Sequence, residues 1–179
     1  MLFSALAFVV CPMSIPVLVR RVAALLKQKN LKVVFAESCT GGLVAGSLTQ
    51  VPGISDYHCG GVVVYRNATK RAYLGISARL LKNPGPVSET IVREMATRVL
   101  RLTPEADIAA AVTGHLGPGA PPELDGVVYI AVASRQKDLQ RPDVAVFRYQ
   151  CRTSQKRLSR QKEVVQEVLQ QLENALERW

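Results

Sequence analysis

Two uninterrupted apolar runs constrain this chain more than any other feature. Residues 107–113 read DIAAAVT and residues 127–133 read VVYIAVA. Successive side chains of a strand point to opposite faces, so a strand that is apolar at nearly every position is covered on both sides. The shorter runs KVVFA (residues 32–36), GGVVVY (60–65) and the segment 145–149 read as further strands. Between them the apolar spacing turns helical. Leu18, Val22, Leu25 and Leu26 place a helix over residues 15–29. Others are expected over residues 43–51, from Asn67 to about residue 74 with Gly75 closing it, and from Ser88 to about residue 102. Ser88 is a suitable N-cap and Glu89 favours a first turn. A long terminal helix is expected from residue 154 to about 178. Strands alternating with helices predict an α/β fold, a single layered domain with a mostly buried sheet and helices on both faces. At 179 residues and 48% hydrophobic, the chain can bury such a core without disulfides or a structural metal.

The formal net charge is +9. Arg148, Arg152, Lys156, Arg157, Arg160 and Lys162 form a run with no acid between them, suited either to solvent or to a phosphate-bearing ligand. Only Tyr149 lies near as a stacking aromatic, which argues against nucleic acid. Cys11, Cys39, Cys59 and Cys151 are scattered without a CxxC pair. That excludes an ordinary zinc site and suits reduced thiols in a cytoplasmic protein. Neither metal nor cofactor is expected. Residues 1–12 (MLFSALAFVVCP) are apolar but too short to span a bilayer, and lack the basic start of a secretory signal. They read either as an apolar arm or as a false start ahead of Met13. The expected division is an extension over residues 1–13 and a domain over residues 14–179.

In a layered α/β domain the ligand sits beyond the carboxyl ends of the strands. Three loops qualify: residues 37–42, 65–70 and 113–119. In the first, Ser38 follows a buried strand and Gly41-Gly42 open a helix. That presents a hydroxyl beside free backbone N–H groups, the two requirements of acyl transfer. The plainer reading is capping, with Ser38 or Thr40 as N-cap. In the second loop Lys70 falls in the first turn of a helix, where the dipole and burial would both lower its pKa towards that of a general base. A surface lysine is the plainer alternative. His115, in the third loop, is a rival base, with Asp125 or Glu123 completing a Ser-His-acid triad. The residues alone leave both pairings open.

Several segments together resemble the C-terminal domain family of the competence/damage-inducible protein CinA, including its stand-alone nicotinamide-nucleotide amidases. They are AESCTGG (36–42), VPG (51–53), GGVVVYRNATK (60–70), LGIS (74–77), VSE (87–89), ADIAAAVTG (106–114), GPG (117–119) and GVVYIAVA (126–133). The resemblance spans residue 14 to the C-terminus and implies the stand-alone form. It implies hydrolysis of the carboxamide of nicotinamide mononucleotide by a Ser-Lys mechanism without metal. Ser38 would be the nucleophile, Lys70 the base and Tyr65 a proton relay or orienting group. Cys39, Thr40, Gly41, Gly42, Asn67, Thr113 and Gly114 would line the substrate site. Amides from Cys39 to Gly42, or from Gly114 onward, would hold the oxyanion. Arg152 and Arg157 would take the substrate phosphate. The expected partners are a small nucleotide and further copies of the same chain, with no membrane.

One stretch departs from the family pattern. Where the family usually reads VTG-I-A-GP-GGG, this chain has VTG-H-L-GPG-A-P-P from Val112 to Pro122. The loop beside the expected site is bulkier and stiffer, so the preferred nucleotide is open to change. A non-catalytic nucleotide-binding module and a competence or DNA-repair accessory protein are the alternative readings.

Overall fold

The structure, a computed structural model, describes residues 13–135, 142–152 and 156–179. The expected extension over residues 1–12 lies outside the described residues. Helix α1 (Ile15–Lys29) ends where Asn30 turns into the left-handed region and its amide reaches back to the carbonyls of Leu26 and Lys27. Then follow β1 (Val33–Glu37), the short α2 (Leu43–Leu48) and β2 (His58–Val63). Three helices come next: α3 (Asn67–Leu74), α4 (Ala78–Lys82) and α5 (Glu89–Leu102). Helix α5 starts at Ser88, whose hydroxyl accepts from the Ile91 amide at 3.4 Å. After β3 (Ile108–Gly114), β4 (Val127–Ser134) and β5 (Asp143–Gln150), α6 (Arg157–Glu177) completes the chain.

The five strands form one sheet in the order β2-β1-β3-β4-β5. The strands β2, β1 and β3 run parallel, and β4 and β5 are antiparallel to their neighbours. The direction changes where the connection changes. The crossovers among the first three strands carry helices, whereas β3 reaches β4 through residues 115–126, which hold only the 3-10 turn Pro122–Leu124.

Alternation explains the uniformly apolar runs. Phe35, Ile108, Ala110 and Val112 face the layer of α1, α2 and α6. Val34, Ala36, Ala109 and Ala111 face α5. Both faces of β1 and β3 are therefore buried, as expected. The edge strand β2 differs, for Val63 is 46% exposed. It lies close on β1 at Gly61, where a Cβ would stand 2.6 Å from the Phe35 carbonyl oxygen. The result for the site is geometric. The three parallel strands end on the same side, so the loops after β1, β2 and β3 meet there.

Candidate functional site

Ser38 lies one residue past β1. Its amide donates to the Val112 carbonyl at 3.1 Å, while the Val64 amide donates to the Glu37 carbonyl at 2.7 Å. The turn is thereby fastened to the strands on both sides of β1. Glu37, 2% exposed, fixes it from below. Its carboxylate accepts from the Thr40 hydroxyl at 2.7 Å and from the amides of Gly42 (2.9 Å), Val44 (3.2 Å) and Ala45 (2.8 Å). Those three amides open α2 and have no intrahelical acceptor, so a buried carboxylate satisfies them and suits the helix dipole.

Lys70 reaches the same turn from the first turn of α3. Its amine donates to Ser38 Oγ at 3.1 Å and to the Val64 carbonyl at 2.8 Å. The side chain is 2% exposed, and Ser38 6%. Burial lowers the Lys70 pKa from 10.5 to about 8, against a smaller opposing influence of the Cys39 sulfur. Burial also pushes the Cys39 thiol up to about 12, so Cys39 is neutral when Lys70 titrates. A neutral amine here keeps one N–H on Val64 and offers its lone pair to the serine hydroxyl.

The other expected site residues fall into two groups. Thr40 is fully buried and serves the Glu37 network, as does the Gly42 amide, while the Gly41 amide donates to the Ser38 carbonyl at 3.1 Å. Thr113 is buried and its hydroxyl donates to the Pro86 carbonyl at 2.9 Å, tying β3 to the segment before α5. Gly114 ends β3 opposite Val128. Asn67 is the exposed first residue of α3.

Tyr65, 56% exposed, is not hydrogen-bonded to Ser38 or Lys70. Its hydroxyl accepts from Arg157 at 2.7 Å, and the same guanidinium donates to the Gly117 carbonyl at 2.6 Å. Arg157 thus bridges the second and third loops. Arg152 points elsewhere, its amide donating to Glu163 at 2.6 Å and its side chain to the Tyr149 hydroxyl at 3.3 Å. The rival triad is not assembled. Both oxygens of Asp125 accept from Arg160, at 2.6 and 2.8 Å, and Glu123 is exposed. The His115 backbone continues the ladder to β4, its amide donating to Val127 and its carbonyl accepting from Gly126.

Four residues that matter here have roles the sequence did not assign. An acid closing an apolar strand just before a turn and helix is a capping signal, and it marks Glu37. Asp125 was considered only as a triad acid, and Arg160 only as one member of the basic run. Gln161, whose side-chain amide donates to the Cys39 carbonyl at 3.1 Å, carries no local signal at all. Among the described residues no group of His, Cys, Asp and Glu is placed to hold a metal ion, and no helix is long and apolar enough to cross a membrane.

Fold and site define a layered α/β domain whose parallel strands end in a buried serine–lysine pair. The family model of the CinA C-terminal domain matches residues 16–176, and the chain belongs to that family. A CinA-like protein of Pseudothermotoga lettingae is 40% identical over 123 residues, 67% of this chain and 30% of that protein. One of Geobacter sulfurreducens is 44% identical over 116 residues, 64% of this chain and 28% of its own length. The match thus takes in under a third of either relative. Among solved structures, the competence/damage inducible protein CihA of Agrobacterium tumefaciens superposes with a TM-score of 0.83 at 34% identity, covering 93% of this chain and 97% of that one. A CinA superfamily protein of Klebsiella pneumoniae gives 0.83 at 29% identity, covering 93% and 100%.

Proposed function

We propose that this chain is an amidohydrolase that converts nicotinamide mononucleotide to nicotinate mononucleotide and ammonia, with Ser38 as nucleophile and Lys70 as its base. The observation that carries this reading is the 3.1 Å contact between the Lys70 amine and Ser38 Oγ, made by a lysine whose burial brings its pKa to about 8. A lysine so lowered is a competent base near neutral pH. The resemblance of the motifs around Ser38 and Lys70 to those of nicotinamide-nucleotide amidases supports the substrate class.

Neutral Lys70 takes the hydroxyl proton as Ser38 Oγ attacks the carboxamide carbon. The resulting ammonium returns that proton to the amide nitrogen, the C–N bond breaks and ammonia leaves. Water, deprotonated by the same amine, attacks the acyl-serine ester. The carboxylate departs and Ser38 regains its proton. Of the two arginines considered for the phosphate, Arg157 is the better placed. It already spans the loops beside the pair, whereas Arg152 is engaged with Tyr149 and Glu163.

Ammonia release from nicotinamide mononucleotide, with Ser38→Ala alongside, tests the reading. Wild type is expected to release ammonia and the variant to fall by at least about a thousandfold. A variant at wild-type rate overturns the nucleophile. Silence from wild type overturns the substrate.

A further inference from the structure

The turn that carries Ser38 is rich in amide donors, and most are already committed. Ser38 N–H is used on Val112, Gly41 N–H on Ser38 and Leu43 N–H on Thr40. Gly42, Val44 and Ala45 all donate to Glu37. That leaves the amides of Cys39 and Thr40, consecutive in sequence and directly after the nucleophile. Both residues are buried, and among the described residues neither amide donates to another residue, the Cys39 N–H facing only its own sulfur. A buried backbone N–H without an acceptor, such as that of Thr40, is rare, and two successive amides in a turn make an anion-binding concavity. Glu37 takes the other amides of the turn and so keeps them from the reaction.

The Cys39–Thr40 peptide joins the carbonyl of one residue to the N–H of the next in one rigid plane. A donor on that carbonyl therefore fixes the direction of the Thr40 N–H. The donor is Gln161, at 3.1 Å, in the second turn of α6 and 122 positions away in sequence. Among the described residues no other side chain donates to this carbonyl, and Gln161 lies over the turn, its Nε2 3.9 Å from where a Cβ on Gly41 would stand.

We infer that Gln161 is a positioning residue: by holding the Cys39 carbonyl it aims the Thr40 amide, next to that of Cys39, as an oxyanion donor for the acyl chemistry of Ser38. The inference rests on the serine-nucleophile reading and deepens it. It gives α6 a part in the reaction, although that helix contributes no group that touches the reacting atoms.

The test compares wild type with Gln161→Leu, which keeps the bulk and removes the donor, and Gln161→Lys, which restores a donor. Two rates are read. One is ammonia release from nicotinamide mononucleotide, resolved into kcat and KM. The other is phosphonylation of Ser38 by a simple alkyl fluorophosphonate. In that step the Oγ–P bond forms, the P–F bond breaks, fluoride leaves and the serine proton passes to Lys70. The phosphoryl oxygen then occupies the oxyanion site whatever the natural substrate. Gln161→Leu is expected to lower kcat and the phosphonylation rate by about tenfold or more, with KM and thermal midpoint unchanged. Gln161→Lys is expected to recover most of the loss. Wild-type rates in Gln161→Leu overturn the inference, as does a loss that Gln161→Lys fails to restore and that follows a lowered midpoint. If wild type is phosphonylated at Ser38 but releases no ammonia, only the substrate is wrong, and the phosphonylation arm still decides on Gln161. If it does neither, the nucleophile and this inference fall together.

Discussion

The Lys70 amine donates to the Val64 carbonyl at 2.8 Å, from six residues further along the chain. Val64 follows β2 directly and is itself fastened to Glu37. One hydrogen of the amine is therefore pinned by the sheet, and the face turned to Ser38 Oγ, 3.1 Å away, is left for proton transfer. Protonated, the amine has no lone pair for the serine. Activity should then follow the deprotonated fraction. With the pKa lowered to about 8, kcat/KM is expected to rise about tenfold per pH unit below pH 8 and to level above it. The Cys39 thiol, held up at about 12, does not disturb this window. Ammonia release between pH 6 and pH 10 in a constant-ionic-strength buffer measures it. A flat profile across that range would remove Lys70 as the base.

The same burial makes Lys70 a burden on the fold. The unfolded chain holds this proton up to about 10.5 and the folded chain releases it at about 8. Below pH 8 both states are protonated and the folded state carries the full penalty, about 3 kcal/mol. Between pH 8 and 10.5 the unfolded state binds more protons, so stability rises with pH. Lys70→Met is expected to abolish turnover and remove this penalty, while leaving the Val64 carbonyl without its donor at a cost of about 1–3 kcal/mol. The variant should therefore be more stable than wild type by about 1 kcal/mol at pH 7. The order should reverse above pH 10.5. Urea unfolding of both proteins at pH 7 and pH 10.5 checks the crossing. A Lys70→Met protein less stable at both pH values would mean that the amine is not penalised by burial.

How much of this was legible in sequence depended on distance along the chain. Helix α1 has the predicted bounds because its apolar spacing and Asn30 are local signals. The two apolar runs became β3 and β4 for the reason expected, burial on both faces. The five-residue α4 was not foreseen, since it is too short to show a period. The Ser38–Lys70 contact spans 32 residues, and residue chemistry alone left it level with a histidine alternative. Only the resemblance to a family separated them. Nothing local marks Arg157 as the partner of Tyr65, because that contact joins residues 92 apart through the packing of α6. The ion pairs of the basic run are hidden for a similar reason: the acids that pair with Arg160 and Arg152, Asp125 and Glu163, lie outside it.

Glu37 should tolerate no uncharged replacement. Its two oxygens accept from four donors, and a glutamine turns one acceptor into an amide that faces other donors. At least one buried amide of α2 is then left unpaired. Glu37→Gln is expected to lose about 2–4 kcal/mol of stability, allowing for one or two orphaned donors. The Ser38 phosphonylation rate should fall with it at a temperature where the variant is still folded. Chemical denaturation and the labelling rate at 15 °C measure the two effects. Full stability in the variant would mean that the carboxylate does not organise the turn.

The loop that departs from the family pattern is held to α6 at Gly117. This residue has a φ of 63°, and an added Cβ would stand 2.9 Å from Asp125 Oδ1 and 3.1 Å from Arg160 Nη1. Gly117→Ala thus meets a left-handed backbone, at a cost of about 1–2 kcal/mol, and wedges the Asp125–Arg160 pair as well. The Gly117 carbonyl is also the acceptor for Arg157, so the wedge shifts the arginine proposed to meet the phosphate. The expected outcome is a loss of about 2–3 kcal/mol in stability together with a several-fold higher KM for nicotinamide mononucleotide. The rise in KM should be absent for nicotinamide riboside, which lacks the phosphate. Steady-state kinetics on both substrates separate the two effects. An equal rise for nucleotide and nucleoside would take Arg157 away from the phosphate and leave the loop a purely structural element.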